Sequence, residues 1–434
     1  MSRGRSTPVA ILGAGLTGMS AAIELQRAGV PFRIFEKLTQ VGGHAITVEE
    51  AGYRFDRTGH LLHLRDPSVR EKVHTWLQGN YLSITRKSRV FSQGVYTHYP
   101  FQANTYGLPP ETISACLLDF IAAATHPQKP VPQNFEEFCR IHFGNAMSER
   151  FMLPYNTRLW GVHPSEITSE WCQRFVPLPS LKDVVNGALG PPLREVGYNT
   201  HFIYPRLGIG ELSHAMQREL PPIELNSAPS SIDLARRELI LNGERLPFEV
   251  LISTLPLPVL VDLIADVPKE VRQARQKLRS THLYYLDVAL RVPCGQDLHW
   301  VYVPEAHYPF YRVGCYSNFS AEMAPPGCSN LYVELASRDA PSLEQTLPEV
   351  VAGLLELGFI ANPEAVAFAR IRRIDYAYVI YDHAYREALT TITHFLAQER
   401  LLSAGRYGGW NYSSMEDALI FGQGAAESAR SWLA

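Results

Sequence analysis

Little in this chain would divert it from an ordinary globular fold. Its 434 residues include six cysteines, Cys116, Cys139, Cys172, Cys294, Cys315 and Cys328, and no two form a CxxC pair. That spacing points to neither a zinc site nor a disulfide framework, and it suits a reducing cytoplasm. No uninterrupted apolar run approaches the ~18 residues of a membrane span, so membrane insertion is not expected. The start, MSRGRSTP, is short and polar, and glycines break the apolar run behind it, so it does not read as a secretory signal. A net charge of −3 gives no general attraction to nucleic acid. Repeats and low-complexity linkers are missing as well. What remains is a chain 46% apolar and 19% charged, with length for two or three domains.

The local signals begin at once. Residues 8–12 read as a short buried strand, 16–28 as a helix and 31–36 as a second strand. Helical spacing returns at 111–125, 135–143, 342–357 and about 415–432, and strand patterns at 283–292 and 329–336. Short strands fill 222–256 with a turn at Asn242-Gly243. The chain crosses between lobes, so a cofactor domain is expected from 1–75, 200–270 and 395–434. A helical substrate domain is expected over 76–199 and a sheet-containing one over 271–394.

Between the first strand and helix stands Gly13-Ala-Gly15-Leu16-Thr17-Gly18. Gly13 permits a tight turn, Gly15 lets backbone approach a pyrophosphate, and Gly18 allows close helix–strand packing. The helix start, at Leu16 and Thr17, offers N–H groups and a positive dipole end to an anion. Glu36 ends the second strand, where an acid can accept ribose hydroxyls. Together these predict a Rossmann-type dinucleotide site.

Three further segments narrow the cofactor. Gly42-Gly43-His44 follows Glu36 and Lys37. Asp56-Arg57-Thr58-Gly59-His60 comes next, and Gly405-Arg406-Tyr407-Gly408-Gly409-Trp410-Asn411-Tyr412 lies far downstream. They resemble the flavin segments of the amine-oxidase-like superfamily. The resemblance implies FAD, an α/β glutathione-reductase-like cofactor domain, and a mixed α+β substrate domain with helical and antiparallel-sheet parts. Gly43, His44, Lys37, Gly59, His60, Gly405, Arg406 and Met415 would then join the glycine motif around the cofactor. Arg406 would meet the pyrophosphate, and the last helix would face the flavin's pyrimidine edge.

The middle of the chain is more particular. Tyr99-Pro100-Phe101-Gln102, Pro154-Tyr155-Asn156 to Trp160, Trp171 to Arg174, Asn199 to Gly210, and Trp300-Val301-Tyr302 to Phe310-Tyr311-Arg312 follow in order. This succession is similar to the UDP-galactopyranose mutases, most of all their eukaryotic branch. The resemblance implies a uracil site at Tyr99, Phe101 and Gln102, with Tyr155, Asn156 and Trp160 on the nucleotide side. Arg174 and Arg312 would clamp the diphosphate with their planar forks, helped by Tyr302, Tyr378 and Tyr412. Asn199 and Trp300 would border the sugar, and His60 would lie near the flavin. The implied reaction interconverts UDP-galactopyranose and UDP-galactofuranose through a sugar adduct at N5 of reduced FAD. NADPH is a candidate reductant, with Arg86 as a candidate for its phosphate. The implied partner is a UDP-sugar alone, with oligomeric state left open. A mutase of another nucleotide sugar, or an FAD oxidase or desaturase of the protoporphyrinogen or amine-oxidase kind, would share the cofactor segments.

Overall fold

The computed structural model describes residues 7–192 and 200–434, with the side chains of Thr7, Gln173 and Arg174 outside that description. The strand Thr7–Leu12 is an inner strand of a six-stranded sheet, parallel to the edge strand Phe32–Phe35 on one side and Glu244–Ser253 on the other. Val9, Ala10, Ile11 and Leu12 are all buried, as an inner parallel strand covered on both faces requires. Leu401–Ser403 adds parallel to Glu244–Ser253, and the hairpin strands Pro229–Asp233 and Glu238–Leu241 extend the sheet. Asn242 and Gly243 both have positive φ, 49° and 83°, the conformation of a two-residue type I′ hairpin turn.

The helix Leu16–Arg27 packs along the final helix Met415–Leu433, and Ser20 Oγ donates to Leu419 O at 2.7 Å. That packing places the start of the last helix beside the glycine turn, although 400 residues separate them in sequence. The fold is thus a Rossmann-type cofactor domain interleaved with a mixed α+β domain.

The second domain rests on a seven-stranded sheet, in the order Val366–Val379, Ser280–Leu290, Ser329–Leu335, Phe310–Cys315, Trp300–Tyr302, Ser88–Ser92 and Val95–His98. Only the pair Trp300–Tyr302 with Ser88–Ser92 is parallel. Helices Pro110–Thr125, Phe135–Met147 and Leu153–Trp160 pack beside it around Phe101, Phe138, Phe143 and Phe151. Among the described residues, no helix is long and apolar enough to cross a membrane.

Candidate active site

One cavity of about 870 Å³ runs from the glycine turn to the helical layer. Its cofactor end is built by Gly13, Gly15, Leu16, Thr17, Glu36, Lys37, Gly43, His44, Gly59, His60, Gly405, Arg406 and Met415. Gly18 lies behind them, where its hydrogen faces Gly13 O; a Cβ there would come within 2.0 Å of that oxygen. Helix Leu16–Arg27 has no side-chain cap, so its first N–H groups remain available to an anion. The last helix differs: Ser414 and Asp417 form a capping box that already satisfies part of its start. Glu36 receives the N–H groups of Ala14 at 2.8 Å and Leu38 at 3.0 Å, which orients its carboxylate at the cavity edge.

A segment carrying Gly59, His60 and His63 crosses the cavity between two buried carboxylates. Asp56 holds one end, accepting from Thr47 Oγ1 and Tyr204 Oη, both at 2.6 Å, and from Ile209 N at 3.1 Å. Glu416 holds the other, accepting the N–H groups of Arg65 and Asp66 and pairing with the Arg65 guanidinium. Burial drives the His60 pKa down to about 4, so the ring is neutral near pH 7, and its Nδ1 has no hydrogen-bond partner.

The far end is a nest of aromatic rings around one guanidinium. Strand register produces it: Tyr302 stands opposite Arg312, and Arg312 opposite Glu334. Arg312 forms an ion pair with the fully buried Glu334. Burial works against the guanidinium's charge, but the Glu334 carboxylate beside it more than offsets this, leaving the pKa well above the usual value. Arg312 Nε remains without a partner. Burial raises the pKa of Tyr155, Tyr332 and Tyr378, so all three are neutral hydroxyl donors. Tyr99 stacks on Tyr302 at 4.9 Å between ring centroids, and Tyr155 meets Tyr302 edge-on at 5.4 Å. Gln102 donates to Pro177 O at 3.0 Å, and Asn156 to Met152 O at 2.7 Å. Trp160, Trp300 and Tyr412 complete this end.

Residues 16–429 match the family described as flavin containing amine oxidoreductase. The chain belongs to that family.

Among curated relatives, a probable UDP-galactopyranose mutase of Klebsiella pneumoniae is 23% identical over 228 residues, 50% of this chain and 57% of that protein. A lycopene-forming phytoene desaturase of Pantoea ananas is 36% identical over 66 residues, 15% of this chain and 13% of the desaturase. The chain therefore spans little more than half of the first relative and a small part of the second. A solved structure of reduced UDP-galactopyranose mutase superposes with a TM-score of 0.92 at 24% identity, covering 99% of this chain and 96% of that one. A putative protoporphyrinogen oxidase from Exiguobacterium sp. 255-15 gives 0.76 at 16% identity, with 99% of each chain covered. At these identities the likeness is one of fold.

Membership in the flavin-containing oxidoreductases agrees with the cavity. An uncapped helix start, a glycine-faced wall and the unpartnered buried atoms His60 Nδ1 and Ser413 Oγ fit a polar cofactor there. Several expectations from sequence need correction. Phe101 does not face the cavity; it is buried in the core, stacked on Phe151 at 4.9 Å, because its helical turn directs it inward. Arg86 is fully buried with its guanidinium 4.9 Å over the Tyr99 ring, so it offers no surface site for an NADPH phosphate. Arg406 does line the cavity, but it donates to Ser413 O at 2.6 Å and Ala377 O at 3.0 Å, bracing the flavin segment. Asn199 lies outside the described residues, as does the Arg174 side chain, whose backbone is in helix Cys172–Phe175. Tyr332, His63 and Tyr407 line the cavity, and Glu334 and Glu416 pair with the lining residues Arg312 and Arg65; none of the five was anticipated. The available signal for Glu334 was a lone carboxylate in an otherwise largely apolar strand, Ser329–Leu335.

Buried ionisable groups give this flavin-family chain an acid sensitivity. Burial lowers His44 to about 3 and His60, His63 and His299 to about 4, from 6.5. Burial raises Asp56 and Asp287 to about 7, from 3.8. Below pH 6.5 the unfolded chain protonates all four histidines while the folded one does not, which lowers stability as pH falls. The two aspartates act oppositely, because the folded state binds their protons first. Four against two leaves a net loss between about pH 6.5 and 4. A lower melting temperature at pH 5 than at pH 7 is expected in thermal scans; an unchanged or higher one would contradict the assignment.

Proposed function

We propose that this protein is an FAD-dependent nucleotide-sugar mutase that interconverts UDP-galactopyranose and UDP-galactofuranose, with the reduced flavin as its active form. The observation that carries the reading is the convergence on Arg312 of two phenols, the buried Tyr155 and the half-buried Tyr378, whose hydroxyls have no hydrogen-bond partner among the described residues, in the same cavity as the cofactor cradle. Neutral phenols and a guanidinium with a free Nε are donors awaiting an oxyanion, and a diphosphate supplies one. An apolar or amine substrate would leave these donors unsatisfied, which argues against an oxidase or desaturase.

The residues divide the work. Leu16 and Thr17 at the helix start, with the glycine faces, would hold the cofactor's pyrophosphate, and Glu36 its ribose. When bound, the reduced flavin supplies a nucleophile for the sugar's anomeric carbon. Arg312 and the phenols of Tyr155 and Tyr378 stabilise negative charge as UDP leaves, and they retain UDP for its return. Tyr99, Gln102 and Tyr155 border the base. His60, neutral at working pH, places no competing positive charge against the sugar. The six free cysteines support a reducing, cytoplasmic setting.

The test compares redox states. Dithionite-reduced protein mixed with UDP-galactofuranose should yield UDP-galactopyranose by chromatography, and oxidised protein should yield none. Equal turnover in both states would overturn the reading. UDP binding without galactose product would transfer it to another nucleotide sugar, and oxygen consumption with indifference to UDP would favour an oxidase.

A further inference from the structure

Two rows of side chains cross the seven-stranded sheet on one face. The first holds Tyr302, Arg312 and Glu334. The second, two residues along each strand, holds Trp300, Gly314 and Tyr332. Residues directly opposite across paired strands share a face, and so do residues two apart, so Tyr332 stands beside Arg312 on the cavity side. Gly314 is the gap between Trp300 and Tyr332. A Cβ on Gly314 would meet the Tyr332 ring at 2.1 Å and its hydroxyl oxygen at 2.4 Å, so the ring lies directly across that glycine. From there the phenol reaches the crossing segment, where a Cβ on Gly59 would sit 2.5 Å from Tyr332 Oη. Two glycines therefore make room for one phenol.

Packing alone does not explain the hydroxyl. Tyr332 is only 1% exposed and lines the cavity, yet its oxygen has no hydrogen-bond partner among the described residues. Phenylalanine would fill the same space, so what the hydroxyl adds is a donor presented to the cavity. The hydroxyl lies between Gly59, next to His60 at the cofactor end, and the row of Arg312 at the phosphate end. In a nucleotide sugar seated along this cavity, the sugar occupies the span between those two ends.

We propose that Tyr332 is a sugar-contacting residue, its hydroxyl hydrogen-bonded to a hydroxyl of the hexose, with Gly59 and Gly314 clearing its path. This rests on the nucleotide-sugar reading above. Tyr332→Phe keeps the ring and its packing, so the folded, flavin-bearing protein is expected to survive. Oxidised holoprotein, parent and variant, is titrated by calorimetry with UDP and separately with UDP-galactose. Loss of one hydrogen bond should weaken UDP-galactose about 3- to 10-fold and leave UDP unchanged. Equal weakening of both ligands, or no weakening of either, would overturn the proposal, since a merely structural role would not separate them. Failure of the parent to bind UDP at all would instead remove the reading on which it rests.

Discussion

Replacing Arg312 with alanine is expected to lower kcat by about 10²- to 10³-fold, the usual cost of removing a donor aimed at developing negative charge. Flavin content should stay at the parent level, because Arg312 stands at the far end of the cavity from the glycine cradle. KM should rise too, since a charge-assisted bond to the diphosphate exists before the sugar bond breaks, and the larger loss in kcat follows from charge that appears only as it breaks. The structure adds a complication. Arg312 also neutralises Glu334, which is fully buried, so the alanine variant strands a carboxylate inside the protein. Breaking a buried pair this way typically costs about 3–5 kcal/mol of stability. Two companions separate the effects. Arg312→Lys keeps the positive charge beside Glu334 and should restore stability while recovering only part of kcat, because a point charge does not replace a fork. Arg312→Ala with Glu334→Gln removes the stranded charge and should melt above the single variant while remaining slow. If Arg312→Ala held both kinetic parameters at parent values, the phosphate clamp would be wrong.

The two ends of the site were unequally legible in the sequence. The cofactor end is local: a strand, a glycine turn and a helix follow one another within residues 7–27, and Glu36 closes the unit. Elements that must bury a face left clear periodicity. The helices at Pro110–Thr125, Leu343–Glu356 and Met415–Leu433 and the strand Ser329–Leu335 fall within a residue or two of their sequence-based bounds. The far end, around Arg312, is made by strand register, which no spacing along the chain displays. Arg312 and Glu334 are 22 residues apart and become neighbours only because Phe310–Cys315 and Ser329–Leu335 pair in one alignment. Tyr332 was hidden the same way, and its role becomes visible only through the glycines it crosses. Glu416 is further still from its partners, Arg65 and Asp66, and reads in sequence as an ordinary acid in a helix's first turn. Phe101 and Arg86 show the reverse failure. Residue type suggested ligand contact, but packing had already claimed the ring and the guanidinium.

Gly15→Val should give a folded protein that retains no flavin, whereas Gly18→Ala should damage the fold itself. The two glycines share a motif but face different surroundings. Gly15 has φ −75° and ψ −179°, an extended conformation open to valine. A Cβ there would find its nearest heavy atom, Gly43 Cα, at 3.8 Å, an ordinary contact. Its free side faces the cavity, so the added methyl groups would stand where a pyrophosphate must approach the backbone. A Cβ on Gly18 instead meets Gly13 O at 2.0 Å and Gly13 C at 3.1 Å, backbone atoms that cannot turn aside. The helix would have to move off the strand, at a cost of about 1–3 kcal/mol or more. Absorbance of flavin relative to protein after gel filtration reads the first effect, and melting of flavin-free protein reads the second. The Gly15 variant should elute colourless and melt close to flavin-free parent; the Gly18 variant should melt well below it. Full flavin occupancy in Gly15→Val would show that the cofactor does not lie against this turn, and the family's cofactor site would have to be sought elsewhere in the cavity.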